Sequence, residues 1–158
     1  GGRFFIACGG AGVLDSKIAP STVIVPTHAL RDEGTSYHYQ KKGRFSRAHP
    51  LAVDAIAETL KHAGVPYMRA KTWTTDAVYR ETVEKVALRR AQGCLTVEME
   101  AAALFAVADF RNVVCGQLLY GGDDVSGSEW DHRDWIRLHD TRERLLELAV
   151  RAGRRLVG

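Results

Sequence analysis

Apolar runs of strand length alternate with amphipathic stretches of helix length along the whole chain, and this alternation restricts it to few folds. Phe4 to Cys8 is a short apolar run ending in Gly9-Gly10-Ala11-Gly12, which predicts a strand running into a tight loop. Val23-Ile24-Val25 predicts a second buried strand, stopped by Pro26. Pro50 to Ala63 predicts a helix, with Pro50 in the first turn, Leu51, Ile56 and Leu60 on one face, and Gly64 as the stop. Tyr67 to Trp73 alternates like a strand, Glu81 to Gln92 is helical with Gly93 after it, and Leu95 to Val97 is a short strand leading into a helix. In that helix Met99, Ala102, Ala103, Ala106 and Phe110 are expected to form the packed face. Val113 to Tyr120 predicts a buried strand ending at Gly121-Gly122-Asp123-Asp124, and Asp140 to Leu156 a final amphipathic helix. Such a chain is expected to be α/β, a three-layer α/β/α arrangement with a mainly parallel or mixed central sheet.

Length and composition narrow the class further. The 158 residues suit one domain, 1–158, with a sizeable core. With 46% hydrophobic and 26% charged residues the composition is that of a globular protein. The formal charge of +3, from 22 basic and 19 acidic residues, is no footprint for nucleic acid. No apolar run reaches the length of about 20 residues that spans a bilayer, and no signal-peptide pattern is present, so no membrane association is expected. Cys8, Cys94 and Cys115 are odd in number and far apart, which points to a reducing compartment, the cytoplasm, and away from a disulfide frame or zinc site. The six histidines are scattered without helical ligand spacing, so no metal is expected. Gly1 in place of an initiator Met points to a processed or cut chain.

In an α/β sheet, ligands gather at the carboxyl ends of strands, and three candidate segments fall there. Gly9 to Gly12 is either a tight turn or a place where bare backbone approaches an anion or sugar; it lacks the third glycine of a dinucleotide fingerprint. Glu98-Met99-Glu100 lies between a strand and an Ala-rich helix, where a negative charge is favoured. Capping accounts for one of the two glutamates; a carboxylate can also accept both hydroxyls of a vicinal diol such as ribose. Asp123 is either half of a turn-forming Asp pair or a carboxyl that holds a proton for a leaving group. The polar, aromatic and basic stretch from Asp32 to His49 predicts a long functional loop or partner contact.

Taken in order, these segments resemble the nucleoside phosphorylase family, which includes uridine phosphorylase, hexameric purine nucleoside phosphorylase and methylthioadenosine nucleosidase. The resemblance rests on Gly9-Gly10-Ala11-Gly12 with Ile24-Val25-Pro26, Arg31 to Tyr39, Thr74 to Tyr79, Val97-Glu98-Met99-Glu100-Ala101-Ala102-Ala103, and Gly122 to Gly127. It implies that Glu100 binds the ribose hydroxyls, Met99 packs on the sugar and Glu98 lies near base and sugar. Val78 stands where the family has a base-stacking aromatic residue, with Tyr79 beside it, and Gly10, Ala11 and Gly12 belong to the substrate-binding loop. Asp123 matches the aspartate that protonates the purine nitrogen. Phosphate or water would attack the anomeric carbon as the glycosidic bond loosens, with carboxylates gripping the sugar and a group neutralising the departing base.

The departures are equally specific. The family's N-terminal segment, with its phosphate-binding glycine loop, is absent, Ala7 stands where an arginine is expected, and Gly10 and Ala11 replace a hydroxyl residue. Arg80 to Glu84 stands where a pyrimidine-reading glutamine–arginine pair is expected. The expectation is a nucleoside phosphorylase-like domain, N-terminally truncated: a pentosyltransferase that cleaves uridine or a purine nucleoside to free base and ribose 1-phosphate. It would need no cofactor, take inorganic phosphate as co-substrate and assemble as a homo-oligomer. The alternatives are a hydrolytic nucleosidase and a catalytically incomplete nucleoside-binding or assembly fragment.

Overall fold

A computed structural model describes all 158 residues, Gly1–Gly158. Its elements follow the expected alternation: β1 (Phe4–Val13), β2 (Val23–Asp32), β3 (Phe45–Arg47), α1 (Pro50–His62), β4 (Tyr67–Thr75), α2 (Val83–Ala91), β5 (Cys94–Glu98), α3 (Ala101–Phe110), β6 (Val114–Asp124) and α4 (His139–Val157). Short 3-10 turns cover Thr35–His38, Val78–Arg80 and Trp135–Arg137.

Local chemistry sets most boundaries. Pro50 opens α1, where its missing N–H costs nothing, and the His49 ring accepts the Leu51 amide at 3.2 Å. The Thr82 hydroxyl caps α2 by accepting the Lys85 amide. Gly64 (φ +65°) and Gly93 (φ +85°) take left-handed conformations just beyond α1 and α2.

The sheet is mixed. Its strand order is β3-β2-β4-β5-β1-β6, with β1–β6, β2–β4 and β4–β5 parallel and the β1–β5 and β2–β3 pairs antiparallel. β2 also pairs antiparallel with β6, Val23 opposite Tyr120 and Ile24 opposite Leu119, so the sheet closes on itself. α1, α3 and α4 share the largest core with the strands, including Ile56, Leu60, Phe105, Leu118 and Leu148. Val86 of α2 packs with Trp73, Leu30 and Val97 in a second cluster.

Several sequence expectations are corrected. β1 does not stop at Cys8: the glycines continue it as extended strand, hydrogen-bonded in parallel to β6 as far as Ala11, so no tight turn forms there. β2 likewise runs through Pro26, whose missing N–H is absorbed by an irregularity in pairing between Pro26 and His28. β6 extends through Gly121 to Asp124, which places Asp123 in a strand and removes the turn-pair reading. On α1, Leu51 is exposed while Ile56 and Leu60 are buried. On α3 the buried face is Ala101, Ala102, Phe105, Ala106 and Ala108; Met99 precedes the helix, and Phe110 is exposed.

The stretch from Asp32 to His49 is also more ordered than a loop. The buried Arg31 guanidinium donates to the carbonyls of Gln40, Lys41 and Gly43 and to the Ser36 hydroxyl, drawing the segment back so that β3 pairs with β2.

Candidate active site

One cavity of about 900 Å³ lies where β1, β5 and β6 end, closed on its far side by the Trp130–Ile136 segment and the start of α4. It brings together three segments that are distant in sequence: Gly10, Ala11 and Gly12 of β1; Glu98 and Met99 at the β5–α3 junction; and Asp123 near the end of β6. Val78 lines it from the turn before α2. Tyr79, almost fully exposed, and Glu100, also exposed, are not among the lining residues.

The glycines keep the floor bare. A Cβ at Gly10 would lie 2.9 Å from the Tyr120 hydroxyl, and one at Gly12 would lie 3.1 Å from Val97 and 3.6 Å from a carboxylate oxygen of Asp123. Side chains there would press on residues that line the cavity, which is the physical reason for small residues in this strand.

Of the two glutamates at the start of α3, Glu98 does the capping. Its Oε2 accepts the Glu100 amide at 2.9 Å and the Ala101 amide at 2.7 Å, and its Oε1 accepts the Thr74 hydroxyl at 2.6 Å. The Thr74 oxygen in turn accepts the Ala102 amide at 2.9 Å. Two chain segments thereby satisfy three of the helix's free amides. Burial pushes the Glu98 carboxyl above its ordinary range, against the hydrogen bonds from Thr74, Ala101 and Glu100 that favour its charged form. Glu100 makes no capping bond, which leaves its exposed carboxylate free, directly after the lining residue Met99.

At the opposite wall Asp123 accepts the indole N–H of Trp130 at 2.6 Å. Glu81, between the Val78–Arg80 turn and α2, also lines the cavity, and its carboxyl makes no hydrogen bond. Burial raises Glu81 to about 7, the Asp123 charge adds to the rise, and Lys85 opposes it. Arg142 from α4 is the cation among the lining residues; it donates to the Tyr120 hydroxyl at 3.0 Å and to the carbonyls of Trp135 and Ile136. Burial pushes the Cys8 thiol up, so this lining cysteine stays protonated at neutral pH and is a poor nucleophile.

Glu81, Tyr120, Trp130, Trp135 and Arg142 were not singled out from the sequence. A signal existed for the tryptophans: two large aromatics in a polar stretch immediately after a strand end. Chemically, the cavity offers a bare backbone floor, aromatic faces, and carboxyl groups at both ends, one end locked by donors and the other open.

The Phosphorylase superfamily profile matches residues 3–157. The chain is 30% identical to uridine phosphorylase of Treponema pallidum, over 99% of this chain and 64% of that protein. It is 29% identical to guanosine phosphorylase of Halorubrum lacusprofundi, over 79% of this chain and 52% of that protein. The chain thus spans between half and two thirds of the length of these curated relatives. Its fold is similar to that of AMP nucleosidase from Bacteroides thetaiotaomicron (TM-score 0.76, 24% identity, 93% of this chain and 57% of that one). It is also similar to that of a P. knowlesi homologue of P. falciparum PNP (TM-score 0.81, 17% identity, 99% and 64%). On the match across nearly its whole length, the chain belongs to the Phosphorylase superfamily.

Proposed function

We propose that the cavity binds a nucleoside and that the chain is a nucleoside phosphorylase, cleaving the glycosidic bond with phosphate to give free base and ribose 1-phosphate. One observation carries this reading: a single cavity joins the glycine-rich end of β1, Glu98 and Met99, and Asp123. The ribose lies over the bare strand and against Met99, with its hydroxyls gripped by Glu100, whose free carboxylate stands next to Met99. Glu98 holds the Glu100 and Ala101 amides and so fixes the backbone from which Met99 and Glu100 project. The base lies toward Val78 and the exposed indole of Trp130, which supplies the aromatic face that Val78 lacks. Asp123 stands at the base end, where a carboxyl can neutralise the leaving group as the bond breaks.

Residues 1–158 act as one unit in this reading, in a reducing compartment such as the cytoplasm, where the three free cysteines persist. No helix is long and apolar enough to cross a membrane. Assembly with further copies would cover exposed apolar side chains such as Phe4, Phe5 and Leu104.

A second reading, hydrolysis to base and ribose, is favoured by the sparse positive charge of the lining: Arg142 is its one cation, and three of its five N–H donors are held by Tyr120, Trp135 and Ile136. Product analysis with inosine, guanosine and uridine, with and without phosphate, tests both. Ribose 1-phosphate formed only with phosphate supports phosphorolysis. Free ribose at a phosphate-independent rate replaces it with hydrolysis, and nucleoside binding without base release overturns both.

A further inference from the structure

Asp123 does not stand alone at the base end of the cavity. Glu81 lines the same cavity from a different segment, directly before the Thr82 cap of α2, and is partly buried. The two carboxyls are partnered differently. Asp123 is fixed by the Trp130 indole N–H, a donor suited to a carboxylate, whereas the Glu81 carboxyl has no hydrogen-bond partner. Resting on the nucleoside-cleavage reading above, we infer that Glu81 is the second carboxyl of the site: with Asp123 it forms a pair that shares one proton, and that proton is the one the departing base takes.

The surrounding charges favour this arrangement. Asp123 of β6 and Glu81 line the same cavity, the Asp123 charge acts on Glu81, and two carboxylates that feel each other do not both ionise readily. Lys85 on α2 opposes the effect, but its ammonium is paired with Asp32 at 2.9 Å. Arg142, the one cation in the lining, is held by Tyr120 and two carbonyls, and it is not among the charges that act on Glu81. Burial and the neighbouring charge together hold Glu81 protonated up to about pH 7.

The step balances. As the bond from the anomeric carbon to the base nitrogen breaks, its electron pair stays with the base, and the proton leaves the pair for a ring nitrogen of the base. The incoming phosphate or water oxygen bonds to the anomeric carbon and loses its own proton, which restores the pair. A base that takes a proton this way needs an acceptor nitrogen on the face turned to the pair. The pair therefore selects purine nucleosides, which carry N7 on the five-membered ring, over their 7-deaza counterparts.

Two measurements on the full chain test the inference separately from the overall reading. In a carbon-13 NMR titration of the glutamate side chains, one carboxyl should titrate near 7, disappear in Glu81→Gln, and shift toward its ordinary value in Asp123→Asn. A Glu81 carboxyl titrating near 4.5, or one indifferent to Asp123→Asn, overturns the pair even if the protein is active. In turnover, inosine kcat/KM should fall as pH rises through 7 and drop about 100-fold or more in Glu81→Gln, and 7-deazainosine should be a poor substrate. Equal turnover of inosine and 7-deazainosine, or an unchanged pH profile in Glu81→Gln, overturns the assigned destination of the proton. Failure to cleave any nucleoside overturns the cleavage reading and that destination with it, while the titration still decides whether the pair exists.

Discussion

The two acidic walls of the cavity are built in opposite ways. At the start of α3, Glu98 is buried and receives three hydrogen bonds from Thr74, Glu100 and Ala101. Across the cavity, Asp123 receives one bond from an exposed indole, and Glu81 receives none. A carboxylate saturated by fixed donors is part of the scaffold, because taking up a proton or a ligand would break bonds already made. A carboxyl with free acceptor sites can exchange a proton and meet a ligand. The difference teaches that acidity in a cavity does not identify chemistry; unsatisfied acidity does.

The largest expected effect belongs to the open wall. Asp123→Asn should lower purine-nucleoside cleavage by roughly 100- to 10,000-fold, the usual contribution of general acid catalysis, while uridine cleavage, which offers no five-membered ring nitrogen, changes less. The ratio of inosine to uridine turnover in variant and parent checks this; an unchanged ratio would put Asp123 on the scaffold side of the comparison.

The locked wall should fail in stability instead. Glu98→Ala leaves two amides and the Thr74 hydroxyl without their acceptor in a buried place, which should cost on the order of 3 kcal/mol in denaturant unfolding. A loss below about 1 kcal/mol would contradict the capping role.

Glu100→Gln separates binding from folding within one motif. Its carboxylate is exposed and unbonded in the fold, so stability should stay within about 0.5 kcal/mol of the parent. Losing a charge-assisted bond to the ribose diol should weaken nucleoside binding by about 1.5–3 kcal/mol, read by calorimetry. Equal binding losses in Glu98→Gln and Glu100→Gln would erase the distinction.

The smallest effect is a pH dependence of stability. Glu81 is raised in the folded protein from about 4.5 to about 7, so between these values the folded state holds a proton that the unfolded chain releases. Its contribution is therefore most favourable below the unfolded value and is lost as pH rises through 7. Glu81→Gln should gain stability relative to the parent at pH 8 more than at pH 5. Urea unfolding at both values checks the sign, and a gain confined to pH 5 would reverse it.

Much of the fold was legible in sequence because it depends on local chemistry. Pro50, Gly64 and Gly93 mark helix ends where the sequence places them, α2 begins at Val83 after the Thr82 cap and not at Glu81 as expected, and the motif around Glu98 falls at a strand–helix junction as its spacing implies. What depends on distant partners was not legible. The glycines of β1 read as a turn because glycine lowers strand preference, yet pairing with β6 keeps them extended. The closure of the sheet rests on Val23 and Ile24 meeting Tyr120 and Leu119 about a hundred residues away, which no periodicity reports. Within the site, Glu98 and Glu100 were recognised as a unit, but which one caps follows from Thr74, on another strand. Glu81 read as one charge on a polar helix face until folding set it against Asp123.

The central claim, that the nucleoside occupies the cavity between these two walls, is tested most directly by tryptophan fluorescence. Of the three tryptophans, Trp130 and Trp135 line the cavity and Trp73 is fully buried in the core beneath α2. Titration with inosine should give a saturable fluorescence change in the parent that is absent in the Trp130→Phe/Trp135→Phe double variant, whose folding is checked by circular dichroism. The same saturable change in the double variant, carried by Trp73 alone, or no change in the parent at millimolar inosine, would contradict the placement of the nucleoside in this cavity.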